Sequence, residues 1–434
     1  MVNEIFKYLA FWGFWLIIPV GYEFLKAIIS AIIVFFKYDG YIKEELSYFP
    51  VVTILIPVYN SRNTLVACLD SIYNQTYPID KFEVFLIDNG STDDCFSLFQ
   101  QFQSTHSKIK MWWYYSKKGK SNALNKGIFS SSGKYIINID SDGWLDKDAM
   151  KNIVRMFEED RKISCITGNV LIDSELIEKT KDKKLKLIQK CEFFEYVESF
   201  LIGRNVQSTF DNVYTLAGAF SCFKMESLLK TQMYNSDTLG EDTHMTFQIR
   251  KFIGGKIKVC SDAFFYVDPI ENFDKLYTQR QRWQRSEIEV AKLFDEYYTG
   301  NIKDFFQRFT MRIMISDHTL LFSKLIWMFA TLYLIIIGYN AFFLIGGHII
   351  LYVIYVLDSF LYSIMSGMYL KKQKTTKKYL NKNLLICFLL PLYRVVIFLI
   401  RVAGIINSIS TEATWKTRTL TDEFKVMQTW FVKK

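Results

Sequence analysis

Two carboxylates stand one residue apart in Asp140-Ser141-Asp142. A strand delivering such a pair into a loop would let them share a hard divalent cation whose other ligands are diphosphate oxygens and water. Charge building on a departing diphosphate would be neutralised there. The pair belongs to an ordered series. Asp88-Asn89-Gly90-Ser91 precedes it, and Gly240-Glu241-Asp242 and then Gln279-Arg280-Gln281-Arg282-Trp283 follow it. Short acidic triplets arise by chance in any charged chain, so each piece alone is weak. A solvated turn would explain Asp142 but not the whole series.

Three competing chemistries fail on spacing. A dinucleotide fold needs G-x-G-x-x-G after its first strand, and Pro57-Val58-Tyr59-Asn60 holds no glycine. Gly119-Lys120-Ser121 resembles the tail of a phosphate-binding P-loop, but the glycine required five positions before Gly119 is Tyr114. An EF-hand loop opening at Asp140 would put Trp144 where an oxygen ligand belongs. The seven cysteines show no CxxC and no paired spacing, which reads as reduced core thiols and not as a zinc site or disulfide frame. The four histidines are equally dispersed. What remains is a metal-dependent nucleotide site built on carboxylates.

The elements that must position these residues alternate between strand and helix. Val51–Pro57 is a continuous β-branched run, followed by a turn at Tyr59-Asn60-Ser61 and a helix with Leu65, Cys68, Leu69 and Ile72 on one face. Phe82–Asp88 reads as the next strand, and Ser91-Thr92-Asp93-Asp94 as a helix N-cap with acids in the first turn. Ile109–Tyr115 and Tyr135–Asp140 are further strands, separated by a helix through Ala123, Leu124 and Ile128. Asp146 is expected to cap a helix carrying Met150, Ile153, Val154 and Phe157. Such alternation predicts an α/β fold with a mostly parallel, doubly wound sheet. Ligands sit at the carboxyl ends of its strands, where Tyr59, Asp88, Asp140 and Asp142 fall.

The chain has 434 residues, half of them hydrophobic and 17% aromatic, with the apolar residues gathered at the two ends. The run from Ile5 to Phe36 is too long for a signal-peptide core and reads as a retained anchor of one or two helices. Leu325–Leu344, Ile349–Tyr369 and Leu384–Ile406 each approach the length needed to cross a hydrocarbon core of ~30 Å as a helix. The formal charge of +9 does not point to nucleic acid, because the lysines gather at Lys371, Lys372, Lys374, Lys377, Lys378 and Lys382, a positive-inside signal for a cytoplasmic loop. A second basic run, Lys179 to Lys190, precedes the partly apolar stretch Phe193–Ile202, which reads either as a headgroup-facing surface or as an ordinary solvated helix. In the last segment Arg394 and Arg401 lie seven residues apart, on one helical face, and Pro391 interrupts the run. Charges at that depth usually face protein or water, so this face is a candidate wall for a polar path. The expected organisation is an anchor over 1–47, a cytoplasmic catalytic domain over 48–285, interfacial helices over 286–320, transmembrane helices over 321–410 and a tail over 411–434.

From Val51 to Trp283 these signatures resemble glycosyltransferase family 2. The Gln-x-x-Arg-Trp signature is similar to the membrane-embedded synthase branch that includes hyaluronan, cellulose and poly-N-acetylglucosamine synthases. Lys190-Cys-Glu-Phe-Phe-Glu195, Leu216-Ala-Gly-Ala-Phe220 and Tyr277–Arg285 look, more closely, like bacterial exosortase G-associated glycosyltransferases. The resemblance implies a GT-A fold flanked by transmembrane helices and an inverting transfer from a UDP-sugar. It implies that Pro57, Tyr59, Asn60 and Asp88 hold the nucleotide, with Tyr59 stacking beside the base. Asp140 and Asp142 would carry Mg²⁺ or Mn²⁺ on the diphosphate, with Lys120 near the phosphates. Asp242 would be the general base that takes the proton from the acceptor hydroxyl, and Glu241 its positioning neighbour. Arg282 would face the diphosphate, while Gln279 and Trp283 would shape the acceptor end.

Two departures stand out: Asn89 replaces a second aspartate found in many relatives, and Gly240 replaces the usual threonine. Thr414-Trp415-Lys416-Thr417-Arg418 is similar to a nucleotide-covering segment of these synthases, but also reads as an interfacial anchor. The expected partners are a UDP-sugar donor, a polysaccharide or lipid-linked acceptor and the lipid bilayer, in a multi-pass cell-membrane protein. A non-processive transferase acting once on a lipid acceptor is the enzymatic alternative. A nucleotide-binding scaffold or transport subunit is the non-catalytic one, and it would not need the base-plus-metal pair.

Overall fold

The structure, a computed structural model, describes residues 17–37, 45–236, 238, 240–295, 321–410 and 419–423. These fall into two compact units, Gly40–Glu271 and a second made of Met1–Asp39 with Asn272–Lys434.

In the first unit an eight-stranded sheet runs in the order β3-β2-β1-β4-β7-β6-β8-β5. The strands are β1 (Val52–Val58), β2 (Phe82–Asp88), β3 (Lys110–Tyr115), β4 (Tyr135–Ile139), β5 (Gly143–Leu145), β6 (Ile163–Ile172), β7 (Phe220–Lys224) and β8 (Lys256–Val267). Every residue of β1, β2, β4 and β6 is buried, in keeping with their largely apolar sequences. Each fully buried Val, Leu or Ile stabilises the sheet by roughly 1.5–3 kcal/mol. The half β3-β2-β1-β4 is parallel throughout. In the other half β7 runs antiparallel between β4 and β6, and β5 is antiparallel to β8. The sheet is therefore mixed, and its parallel half matches the doubly wound expectation.

The helices are α1 (Leu65–Tyr73), α2 (Cys95–Thr105), α3 (Lys120–Ser130), α4 (Ala149–Glu159), α5 (Ser174–Lys179), α6 (Lys183–Tyr196), α7 (Arg204–Thr209), α8 (Met225–Leu228) and α9 (Glu241–Gln248). The apolar faces expected for α1, α3 and α4 are the buried ones. Two caps shift. α2 begins at Cys95, because Ser91 and Thr92 are engaged with Asn60 instead. α4 begins after Asp148, and Asp146 accepts the Asp148 N–H instead of capping the helix itself. The stretch after the basic run is core and not a membrane-facing surface, since Phe193, Phe194, Leu201 and Ile202 are all buried.

The second unit holds the helices Leu25–Lys37, Phe273–Asp295, Leu321–Ile336, Ala341–Tyr369, Lys374–Lys382 and Leu390–Ser410. Leu325–Leu344 is not one helix. Gly338 adopts φ +70°, a left-handed conformation that ends the first helix, and the Asn340 side chain caps the next. Among the described residues two helices are long and apolar enough to cross a membrane, Ala341–Tyr369 and Leu390–Asn407, with mean hydropathies of 2.0 and 1.7. Apart from His348, their exposed side chains are apolar, Ile345, Ile364 and Leu392 among them. The run Leu384–Ile406 is divided as expected near Pro391: a 3₁₀ turn, Leu384–Phe388, precedes the helix Leu390–Ser410, and Pro391 sits in that helix's first turn, where no N–H is needed.

Charged groups in this unit pair internally. Lys324 Nζ lies 2.6 Å from Glu23 Oε1, the Tyr355 hydroxyl donates to Glu23 Oε2 at 2.5 Å, and Arg394 Nη1 lies 3.7 Å from Asp358 Oδ2. Arg401 is only 3% exposed. The arginine face thus meets protein. The Thr414–Arg418 segment and residues 1–16 and 38–44 of the expected N-terminal anchor lie outside the described residues.

Candidate active site

The carboxyl ends of β1, β2 and β4 carry the first set of expected residues. Pro57 falls beyond the last β1–β4 pair, Leu55 with Asn138, so its missing N–H interrupts no ladder there. Tyr59 is 46% exposed, with the Lys118 ammonium 5.5 Å from its ring centroid. Asn60 adopts φ +50°, and its side-chain oxygen accepts the Thr92 N–H at 2.8 Å. Asp88 is buried, and its Oδ1 accepts the N–H groups of Gly90 and Ser91 at 3.1 and 2.8 Å. Asp88 therefore shapes the turn after β2 with one oxygen. Ser61 Oγ and Ser141 Oγ are 2.6 Å apart, tying the loop after β1 to the acidic pair.

Around Asp140 the charges interlock. Lys120, first residue of α3, reaches Asp140 Oδ1 at 2.5 Å and Glu241 Oε1 at 3.7 Å, and donates to the Gly218 carbonyl at 3.1 Å. Burial disfavours its charge, but Asp140, Glu241 and Asp242 outweigh that and raise its pKa above the ordinary lysine value. Asp142 is exposed. Desolvation by nearby protein, and then the Asp140 charge, push its carboxyl up to about 6. Two carboxylates that repel one another in this way are relieved by a shared cation. Their hard oxygens suit Mg²⁺ or Mn²⁺. Among the described residues no three His, Cys, Asp or Glu side chains converge as a complete cation site, so substrate oxygens would have to complete one.

Glu241 and Asp242 open α9, where acids are favoured by the helix dipole. Asp242 Oδ1 accepts the Thr243 N–H at 2.7 Å and Oδ2 the Gly218 N–H at 3.2 Å. Gly218 thus touches the Asp242 carboxylate through its N–H and Lys120 through its carbonyl. A Cβ there would lie 3.2 Å from Asp242 Oδ2, which is why glycine occupies the position. Thr215 and Thr243 hydroxyls meet at 2.9 Å, and Thr246 Oγ1 accepts the Leu216 N–H at 3.0 Å, fixing the loop to the helix. Gly218, Thr243 and Ser141 were missed by sequence reasoning; the small-residue run Leu216–Phe220 was the only signal for the first.

Glu241, Asp242, Lys120 and Asp140 are brought together in the first unit. Gln279, Arg282 and Trp283 lie in the second unit, half-exposed on the helix Phe273–Asp295. There the buried Arg280 guanidinium packs 4.2 Å from the Trp283 ring centroid, and Arg280 Nη1 donates to Gln279 Oε1 at 2.5 Å.

Residues 53–230 match the family described as glycosyl transferase family 2. The chain carries a family 2 glycosyltransferase domain. Over 292 residues it is 26% identical to the poly-beta-1,6-N-acetyl-D-glucosamine synthase of Staphylococcus epidermidis, covering 66% of either chain. With the same-named synthase of Staphylococcus aureus strain MSSA476 it shares 26% over 281 residues, 65% of this chain and 63% of that one. The chain thus spans just under two thirds of the length of these relatives. The mannosyltransferase PcManGT from Pyrobaculum calidifontis, solved in complex with GDP-Man and Mn²⁺, superposes with a TM-score of 0.56 at 15% identity, over 88% of this chain and 96% of that one. The glycosyltransferase domain accordingly has the GT-A fold.

Proposed function

We propose that this protein is a membrane-bound, inverting glycosyltransferase that moves a sugar from a UDP-sugar onto a growing polysaccharide. The carrying observation is the Lys120 ammonium held between Asp140 and Glu241, with Asp242 joined to it through Gly218. The arrangement puts a carboxylate able to take a proton beside a cationic, metal-ready corner. A divalent cation held by Asp140 and Asp142 would neutralise the departing diphosphate. Asp242 takes the proton of an acceptor hydroxyl as that oxygen bonds to the anomeric carbon and the carbon–diphosphate bond breaks. Lys120 keeps the adjoining carboxylates charged and in place. Gln279, Arg282 and Trp283 enter through the signature they form. The staphylococcal relatives favour N-acetylglucosamine as the sugar and a processive mode. A scaffold role is disfavoured, because a binding module gains nothing from a base fixed at both oxygens.

Incubating the purified chain with a panel of UDP-sugars and following UDP release tests this reading. UDP-N-acetylglucosamine is expected to be turned over fastest, with a polymeric product. No UDP release from any donor would reject it. We propose a cytoplasmic face for the domain and for the helix Lys374–Lys382, whose exposed lysines carry the positive-inside signal. A cysteine placed at Lys372 should resist a membrane-impermeant maleimide in intact cells and react after permeabilisation. Labelling from outside would reverse the topology.

A further inference from the structure

A second cation lies close to Asp242, and nothing above uses it. Arg204 opens α7, directly after the π-helical turn Val197–Gly203, an irregularity that is frequent at functional sites. Its guanidinium sits 4.4 Å from the Phe200 ring centroid, and Phe200 packs edge-on against Tyr196 at 4.7 Å. The three side chains are spaced four residues apart and form one stack that fixes the direction of the arginine. Nη1 of Arg204 is buried and has no hydrogen-bond partner. An unpaired buried donor is expensive, and such groups are retained where a ligand completes them.

Hydrogen bonds tie the surroundings together. On β6, Thr167 accepts the Ala217 N–H at 3.0 Å, and Asn169 accepts from the Asn205 side chain at 2.8 Å. The same strand therefore carries the loop that touches Asp242 and the helix turn that bears Arg204. Burial lowers the Arg204 pKa to about 10, with the Asp242 carboxylate opposing the shift, so the side chain stays cationic at neutral pH. Through β6, Arg204 is tied to the loop that touches Asp242, whereas Lys120 reaches Asp140.

We propose that Arg204 contacts the acceptor: Nη1 donates a hydrogen bond to an oxygen of the sugar whose hydroxyl Asp242 deprotonates, holding that hydroxyl against the base. This rests on the transferase reading above. A diphosphate contact is the competing outcome, and the two separate kinetically.

The full chain in lipid nanodiscs would be assayed with UDP-N-acetylglucosamine as donor and an N-acetylglucosamine oligosaccharide as acceptor. Arg204→Met keeps the length and the packing on Phe200; Arg204→Lys keeps the charge. Arg204→Met is expected to raise the acceptor KM by about 10- to 100-fold, what a hydrogen bond from a charged group contributes. Donor KM and acceptor-independent UDP release should stay within about twofold, and Arg204→Lys should recover part of the loss. Parallel loss of donor binding would overturn the proposal in favour of a diphosphate contact, and an unchanged acceptor KM would overturn it outright. Oligosaccharide binding without donor, followed by tryptophan fluorescence, gives a readout independent of turnover. Equal affinities for the wild type and Arg204→Met would reject the contact, whereas a wild type that binds the oligosaccharide but releases no UDP would reject only the transferase reading.

Discussion

Asp242→Asn is expected to slow sugar transfer by ~10²–10⁴-fold, the usual effect of removing a positioned general base. That is about 3–5.5 kcal/mol of transition-state stabilisation. Both carboxylate oxygens accept backbone N–H groups, from Thr243 and Gly218. An asparagine must therefore turn its NH₂ toward one of those donors and forfeit that bond. The substitution thus removes basicity and also loosens the loop at Gly218. The decisive comparison is transfer rate against donor affinity, with the thermal midpoint recorded alongside. Tight donor binding with near-normal turnover would sink the assignment of Asp242 as base.

Removal of divalent metal is the second large effect. Chelation should abolish transfer, and Mg²⁺ or Mn²⁺ should restore it. With Asp142 pushed up to about 6, protons compete with the metal. Its folded pKa is raised, so in the metal-free protein this group favours folding at low pH, and the contribution is lost as pH rises through about 6. Metal affinity runs the opposite way, weakening as pH falls below that value. Mn²⁺ binding measured by titration calorimetry across this range should show the trend, and Asp142→Asn should flatten it. Full activity after exhaustive chelation would exclude a metal role for the pair.

What was legible in the sequence divides along physical lines. β1, β2 and β4 were found to within a residue or so, because a strand buried on both faces must be an unbroken apolar run. The acids at their ends were legible for the same reason. β5, β7 and β8 were not, since their pairing is set by partners distant in the chain and their own composition is ordinary. Local competition explains the shifted caps: Ser91 and Thr92 bind Asn60, so α2 waits until Cys95. Hydropathy carried the reading across Gly338, although a single left-handed glycine is enough to divide a helix. Within the site, the acids announce themselves in short motifs, whereas Gly218 acquires meaning only when the loop tied to β6 brings it to Asp242.

All seven cysteines are buried, and none forms a disulfide. Burial pushes the Cys95 thiol up to about 12 and raises Cys68 and Cys165 as well, so the reactive thiolate form is scarce while the chain is folded. The native protein is therefore close to silent toward maleimides. A single introduced cysteine can serve as a position-specific probe without stripping the wild-type ones, and the onset of native thiol reactivity becomes a clock for unfolding.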